Sequence, residues 1–237
     1  KLPEVELDLI REELLSNAAE RISDPIAIAM NTVTRKLAPY AVDDPRYIAE
    51  LKEDMERTKN VTIDQVRDIY QRLVGASVGE LTIIGDFDKE LVVPAVDEIT
   101  KGWTSNVVFE RIPRISVNNP TGDFAQIETP DKANAAYFAA MTLPMKDSHP
   151  DYPALAIGNF ILGSGGLSSR LADRVRQKDG LSYTVQSTLQ PSAVDERTSF
   201  YIFAISNPAN SGKLREAIAE ELKRLVADGI TQEELDQ

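Results

Sequence analysis

Cysteine is absent from the chain, and histidine occurs once, at His149. The first absence excludes disulfides and any thiolate metal site. The second excludes a metal centre built on paired imidazoles. Long apolar runs are also missing, and no stretch approaches the ~18 residues of a membrane-crossing helix. Basic residues are in the minority, 26 Lys and Arg against 38 Asp and Glu, for a net charge of −12. A phosphate backbone is a poor partner for such a chain, and no block of Lys and Arg offsets the deficit. Nucleic-acid binding is set aside on this ground. Lack of cysteine suits the periplasm and the cytoplasm equally, so the compartment stays open between them. What is present is an ordinary globular mix, 42% hydrophobic and 27% charged over 237 residues. That is enough for one large or two modest domains. The chain opens at Lys1 without methionine, and a Thr231…Glu234 capping box starts a helix just before Gln237. Both ends lead us to expect a piece of a longer protein.

Taken in order, the first hundred residues read as helices. Val5, Leu7, Ile10, Leu14 and Leu15 give Glu4–Arg21 a face toward a core. Asp24-Pro25 opens a second helix to about Leu37, because proline suits a first turn. Asp44-Pro45 opens a third, to about Thr58. Thr62 and Gln65 box a fourth that ends near Val74. Glu80–Asp86 reads as a short strand with an apolar centre. Asp88 caps a helix through Leu91, Val92, Val96 and Ile99 to Trp103. A linker follows over 104–122, marked by Pro113, Asn118, Asn119, Pro120 and Gly122. It separates residues 1–103 from residues 123–237.

The second part mixes both periods. Phe124–Glu128 and Ala133–Leu143 read as strands, and Tyr152–Leu162 as an apolar helix. Ser199–Ile205 is apolar on both faces, which marks a central, covered strand. Leu214, Ile218, Leu222 and Leu225 mark the buried side of a helix from about Asn210 to Asp228. The expected fold is α+β, an antiparallel-type sheet with helices packed on one face.

One stretch, Asn159–Val185 (NFILGSGGLSSRLADRVRQKDGLSYTV), organises the rest. Gly163, Gly165 and Gly166 supply a turn, and Ser168 or Ser169 can cap the helix that follows. Leu167, Leu171 and Val175 form its buried stripe, and Gly180 can end it in a left-handed cap. Leu181, Tyr183, Val185 and Leu189 then alternate with Ser182, Thr184, Gln186 and Thr188, which is strand period. No Gly-Lys-Ser/Thr follows the glycines, so they read as a helix–helix turn and not as a phosphate cradle.

These residues resemble the inverted-zinc-motif metallopeptidases: pitrilysin, insulysin, the mitochondrial processing peptidases and bacterial zinc proteases. That family shares a segment of the form Leu-Gly-Gly-Gly-x-Ser-Ser-Arg-Leu, then Arg, six residues and Tyr. Here Leu162–Leu171 matches it, with Ser164 in place of one glycine, followed by Arg176 and Tyr183. Val61–Trp103 resembles the helix, strand, Gly-Asp turn and helix that close the family's preceding domain. The resemblance implies the pitrilysin/processing-peptidase-like repeat fold. Residues 1–103 are then the back of one repeat and 123–237 the truncated front of the next. On that reading Glu80–Asp86 fills the place of a strand missing beyond Gln237, giving one permuted sheet.

The resemblance also implies chemistry. A His-x-x-Glu-His helix supplies two zinc ligands and a general base in the family. This chain cannot build that motif, so it is expected to bind no zinc and to be inactive alone. Zinc belongs in a catalytic half, in the same parent chain or in a partner subunit, and the substrate is a peptide held in a closed chamber. Both halves of family members can carry this block and the Arg…Tyr spacing, so these alone leave the half open. Because Glu4–Ala18 does not show the glutamate-rich helix associated with the third zinc ligand, the resemblance leans to the zinc-free, C-terminal half of a bacterial zinc protease. The implied site residues are Arg176, gripping substrate backbone carbonyls, and Tyr183, donating a hydrogen bond to the scissile carbonyl.

Plainer readings stand beside these. Tyr183 shares a strand face with Leu181 and Val185, as a core tyrosine would. Arg176 can be one more surface charge beside Arg174 and Lys178. His149, between Ser148 and Pro150, reads as a solvated turn residue. Glu12–Glu13 and Glu220–Glu221 read as solvated helix faces. The alternative to the whole assignment is a non-catalytic structural or interaction member of the same fold.

Overall fold

The structure is a computed structural model and describes residues 2–117 and 122–236. Asn118, Asn119 and Pro120 of the expected linker lie outside the described residues. In chain order the elements are α1 (Glu4–Arg21), α2 (Pro25–Lys36), α3 (Leu51–Asn60), α4 (Ile63–Leu73) and α5 (Lys89–Thr100). Then come β1 (Ala135–Leu143), α6 (Tyr152–Asn159), β2 (Ser182–Pro191), β3 (Thr198–Ser206), α7 (Ser211–Asp228) and α8 (Gln232–Asp236). Between α6 and β2 run a π-helical turn at Phe160–Ser164, a 3-10 turn at Gly166–Ser168 and a π-helix at Ala172–Lys178. The chain divides into two compact units, Lys1–Leu15 with Glu56–Ile112, and Ser16–Met55 with Pro113–Gln237.

In the first unit, α4 begins with the expected capping box. Thr62 Oγ1 accepts from the Gln65 amide, and Gln65 Oε1 accepts from the Thr62 amide at 2.8 Å. Asp88 caps α5 by accepting from the Glu90 amide. Glu80–Asp86, however, forms no ladder, which overturns the expected strand and the permuted sheet built on it. Leu81 and Ile83 instead line an open apolar groove with Phe87, Val92, Val93 and Val96. An extended segment becomes a strand only when it pairs with a second one, and among the described residues none pairs with it. The apolar face of α1 also differs from expectation, since Val5, Ile10 and Leu14 are exposed.

The second unit is built on a three-stranded antiparallel sheet in the order β1-β3-β2. β3 is central, as its two apolar faces require. Its inward residues Ile202 and Ala204 are buried against Leu214, Ala217 and Ile218 of α7. Leu162, Leu171 and Val175 complete this core. Each fully buried Leu or Ile contributes on the order of 1.5–3 kcal/mol. α7 ends at Gly229, whose φ of +71° glycine adopts without strain. α2 packs against β1, and its N-cap Asp24 accepts from the Ala27 amide at 2.9 Å.

Two expectations fail in this unit. Among the described residues Phe124–Glu128 pairs with no strand, and the sheet begins at Ala135. No helix starts at Asp44-Pro45 either. Asp44 is engaged by Arg46 through the backbone amide at 2.8 Å and the guanidinium at 2.6 Å, and this pairing lowers its carboxyl to about 2. Arg46 also lies 4.1 Å from the Tyr40 ring centroid. An Asp side chain satisfied two residues on is a turn device, so Pro45 sits in a turn and α3 waits until Leu51.

Candidate functional site

Three local devices bring Arg176 and Tyr183 together. The first is the glycine run. Gly163 is buried in the π-turn and needs close approach: an added Cβ would lie 2.5 Å from Ser187 Oγ and 2.7 Å from Ser187 N. Gly166 takes a φ of +71°, and Ser169 then opens the next helix with Oγ 3.4 Å from the Ala172 amide. Ser164, which stands where the family has glycine, is exposed, and its Oγ takes part in a 3.1 Å bond from Asn159 Nδ2. A side chain therefore fits at 164 but not at 163. Leu167 lies in the 3-10 turn and is exposed, so the buried stripe of the following helix is Leu171 and Val175 without it.

The second device is the π-helix Ala172–Lys178. Val175 is sealed inside and Arg176 faces out. Its charged neighbours are all paired. Arg174 bonds Asp179 at 2.7 Å and Glu220 at 3.0 Å, and Lys178 reaches Asp173 at 2.7 Å. Arg176 makes no ion pair among the described residues; its guanidinium carbon sits 4.7 Å from the Tyr183 ring centroid. An exposed cation–π contact of this kind contributes ~0.5–1 kcal/mol.

The third device is a β-bulge. Ser182 pairs with Ser206 and Thr184 with Ile205, so Tyr183 is the extra residue. Simple alternation puts Tyr183 on the inward face with Val185; the bulge reverses this. Ser182 is buried and Tyr183 is 80% exposed. The core-tyrosine reading is thereby overturned. Gly180, at φ +61°, ends the helix as expected, and the Leu181 amide donates to the Val175 carbonyl at 2.9 Å. The phenol and the guanidinium thus share one solvent-facing surface. The guanidinium edge keeps its fork of N–H donors available, and the phenol keeps its O–H.

Six residues before Arg176, Arg170 is nearly buried and bonds Glu234 at 2.5 and 2.7 Å and the Gly229 carbonyl at 2.7 Å. These bonds hold the Glu234 carboxyl down to about 2, aided by Thr231. The Thr231–Glu234 box expected from the sequence is present. Glu221 is buried, with one carboxylate oxygen lacking a partner, which corrects the reading of Glu220–Glu221 as a solvated pair. Glu12 and Glu13 are exposed. His149 lies in a turn and accepts from the Asp151 amide at 3.2 Å. Among the described residues no three His, Asp or Glu side chains converge to hold a metal ion, and no helix is long and apolar enough to cross a membrane.

These features define a helix-backed antiparallel half-domain that offers an arginine–tyrosine pair on its surface. The chain belongs to the family described as the peptidase M16 inactive domain, whose model matches residues 60–237. This match, with the inactive relative below, fits a non-catalytic, C-terminal half of a pitrilysin-like protease. A probable inactive metalloprotease of Bacillus subtilis is 27% identical over 164 residues, which span 66% of this chain and 36% of that protein. An uncharacterized zinc protease of Mycobacterium leprae is 36% identical over 81 residues, 34% of this chain and 18% of that one. The fold matches a peptidase M16 inactive domain from Pseudomonas fluorescens at TM-score 0.73 and 21% identity, covering 99% of this chain and 54% of that one. It also matches a protease from Helicobacter pylori at TM-score 0.76 and 21% identity, covering 100% and 56%. The chain therefore spans about half the length of these structures, and less of the curated relatives.

Proposed function

We propose that this chain is the substrate-side, zinc-free portion of a zinc metallopeptidase that cleaves peptides in a closed chamber. Arg176 holds backbone carbonyls of the peptide, and Tyr183 donates its hydroxyl hydrogen to the scissile carbonyl oxygen as negative charge develops there. Zinc is held by a catalytic half, in the same parent chain or in a partner subunit. The observation that carries this reading is the exposed Arg176–Tyr183 pair, the guanidinium carbon 4.7 Å from the ring centroid and without an ion pair among the described residues. A donor aimed at developing charge supplies ~3 kcal/mol of barrier lowering, or a factor of about 100 or more. Tyr183→Phe in the complete protease is accordingly expected to lower kcat about 100-fold while KM changes little. Unchanged kcat would show the hydroxyl to be a bystander.

A second reading has one observation in its favour, the Bacillus subtilis relative that is itself described as a probable inactive metalloprotease. On that reading the domain is a structural or interaction module that keeps the fold without catalysis. The two part company on whether a His-x-x-Glu-His helix exists in the parent chain or its partner.

A further inference from the structure

Tyr183 owes its exposure to a single extra residue, and the structure shows what holds that residue in place. Beyond the bulge, Val185, Ser187 and Leu189 pair with Ala204, Ile202 and Phe200 and share the inward face of the sheet. Without the bulge Tyr183 would fall on that face, because strand side chains alternate strictly. Ser182 sits at the base of the bulge and is 5% exposed. Its Oγ is 2.7 Å from the Thr184 carbonyl oxygen and 2.6 Å from the Ile205 carbonyl oxygen. One hydroxyl hydrogen is shared between two acceptors. One acceptor lies across the bulge on the same strand, and the other lies on the central strand. The residue before, Leu181, is bonded to Val175, next in sequence to Arg176.

We infer that Ser182 is a positioning residue: its buried hydroxyl bridges the two sides of the bulge, turns the Tyr183 phenol outward and holds it under the Arg176 guanidinium. This inference rests on the reading of Tyr183 as a substrate-side donor only for its functional meaning; the positioning itself is a property of the chain alone. Alternation gives no sign of it, since a serine in a strand reads as a solvent-facing residue.

The test is solution NMR of this chain with labelled arginine. A guanidinium stacked on a phenol places its Cδ protons over the ring face, and the ring current moves their signals upfield. Tyr183→Leu identifies the Arg176 signal, because that variant removes the ring. Ser182→Ala is expected to keep the circular dichroism spectrum and to return the Arg176 signal to the position it has in Tyr183→Leu. Ser182→Thr, which restores a hydroxyl, is expected to restore the upfield signal. The inference is overturned if Ser182→Ala leaves the Arg176 signal where it is, or if Ser182→Thr behaves like Ser182→Ala. It is equally overturned if Ser182→Ala unfolds the sheet, since the hydroxyl would then serve the whole fold and not Tyr183. No peptide is involved, so this experiment can fail while the role of Tyr183 stands. A null result for Tyr183→Phe on turnover likewise leaves it untouched.

Discussion

Two glycines in one stretch should respond to alanine with opposite signs. At Gly163 an added Cβ meets Ser187 Oγ at 2.5 Å, Ser187 N at 2.7 Å and Leu171 Cδ1 at 2.9 Å. The first is a side-chain atom, but Ser187 is itself 1% exposed, and the second is backbone of β2. The π-turn must then lift off the sheet, or the strand must shift. Overpacking of this kind costs ~1–3 kcal/mol, and the fixed backbone contact points to the upper end. For a chain of this length each kcal/mol lowers Tm by about 2–4 °C, so Gly163→Ala should lower it by roughly 5–10 °C. At Gly158, in α6, an added Cβ meets nothing within 4 Å. Gly158→Ala removes backbone freedom from the unfolded chain and should stabilise by ~0.5–1 kcal/mol. Combining Gly163→Ala with Ser187→Ala should recover only part of the loss, because the amide nitrogen remains. Urea titration of the parent, the two glycine variants, Ser187→Ala and the Gly163→Ala/Ser187→Ala double variant, with double-mutant analysis, reads all of this. If Gly163→Ala matches the parent in stability, or if both glycine variants shift the same way, close approach is not why glycine stands at 163.

Glu234 carries the pH dependence. Arg170 depresses its folded carboxyl to about 2 from an ordinary 4.5, so its contribution is complete above about 4.5 and disappears as pH falls toward 2. The ceiling is about 3.5 kcal/mol, since each tenfold change in proton affinity corresponds to roughly 1.4 kcal/mol. Urea unfolding between pH 6 and 2 should therefore fall more steeply in the parent than in Glu234→Gln, and equal slopes would refute the pairing. At neutral pH Glu234→Gln should already be less stable, because it leaves the nearly buried Arg170 short of its counter-charge. Thr62→Ala should cost ~1 kcal/mol through loss of the α4 capping box, measured as fraying of the first turn by amide hydrogen exchange.

What the sequence reveals of the fold tracks how local each cause is. The caps at Asp24, Thr62, Asp88 and Thr231 are visible because donor and acceptor lie within three residues of each other. The α7 stripe and the left-handed Gly180 are equally local, and so is the central place of β3, both of whose faces are apolar. Pairing is not local. Glu80–Asp86 and Phe124–Glu128 have strand composition, but no strand pairs with them among the described residues. The helix expected at Pro45 loses to the reach of Arg46. At the candidate site, the spacing of Arg176 and Tyr183 is legible, and so is the fact that Arg176 is not needed for packing. The bulge is not legible, because it depends on what β3 presents opposite residue 183. Nor is the burial of Glu221, which follows from the placement of α7 against the helix that carries Arg170.

The corner at Gly180 couples two different clocks. A residue added on its helical side rotates that side by only a fraction of a turn, whereas one added on its strand side reverses the direction of every side chain beyond it. Neither change can cancel the other, so Arg176 and Tyr183 form a cassette of fixed length in which insertions and deletions are far more harmful than substitutions. Moving the pair to another scaffold would mean transplanting the last helical turn, the corner and the first strand residues as one uninterrupted piece.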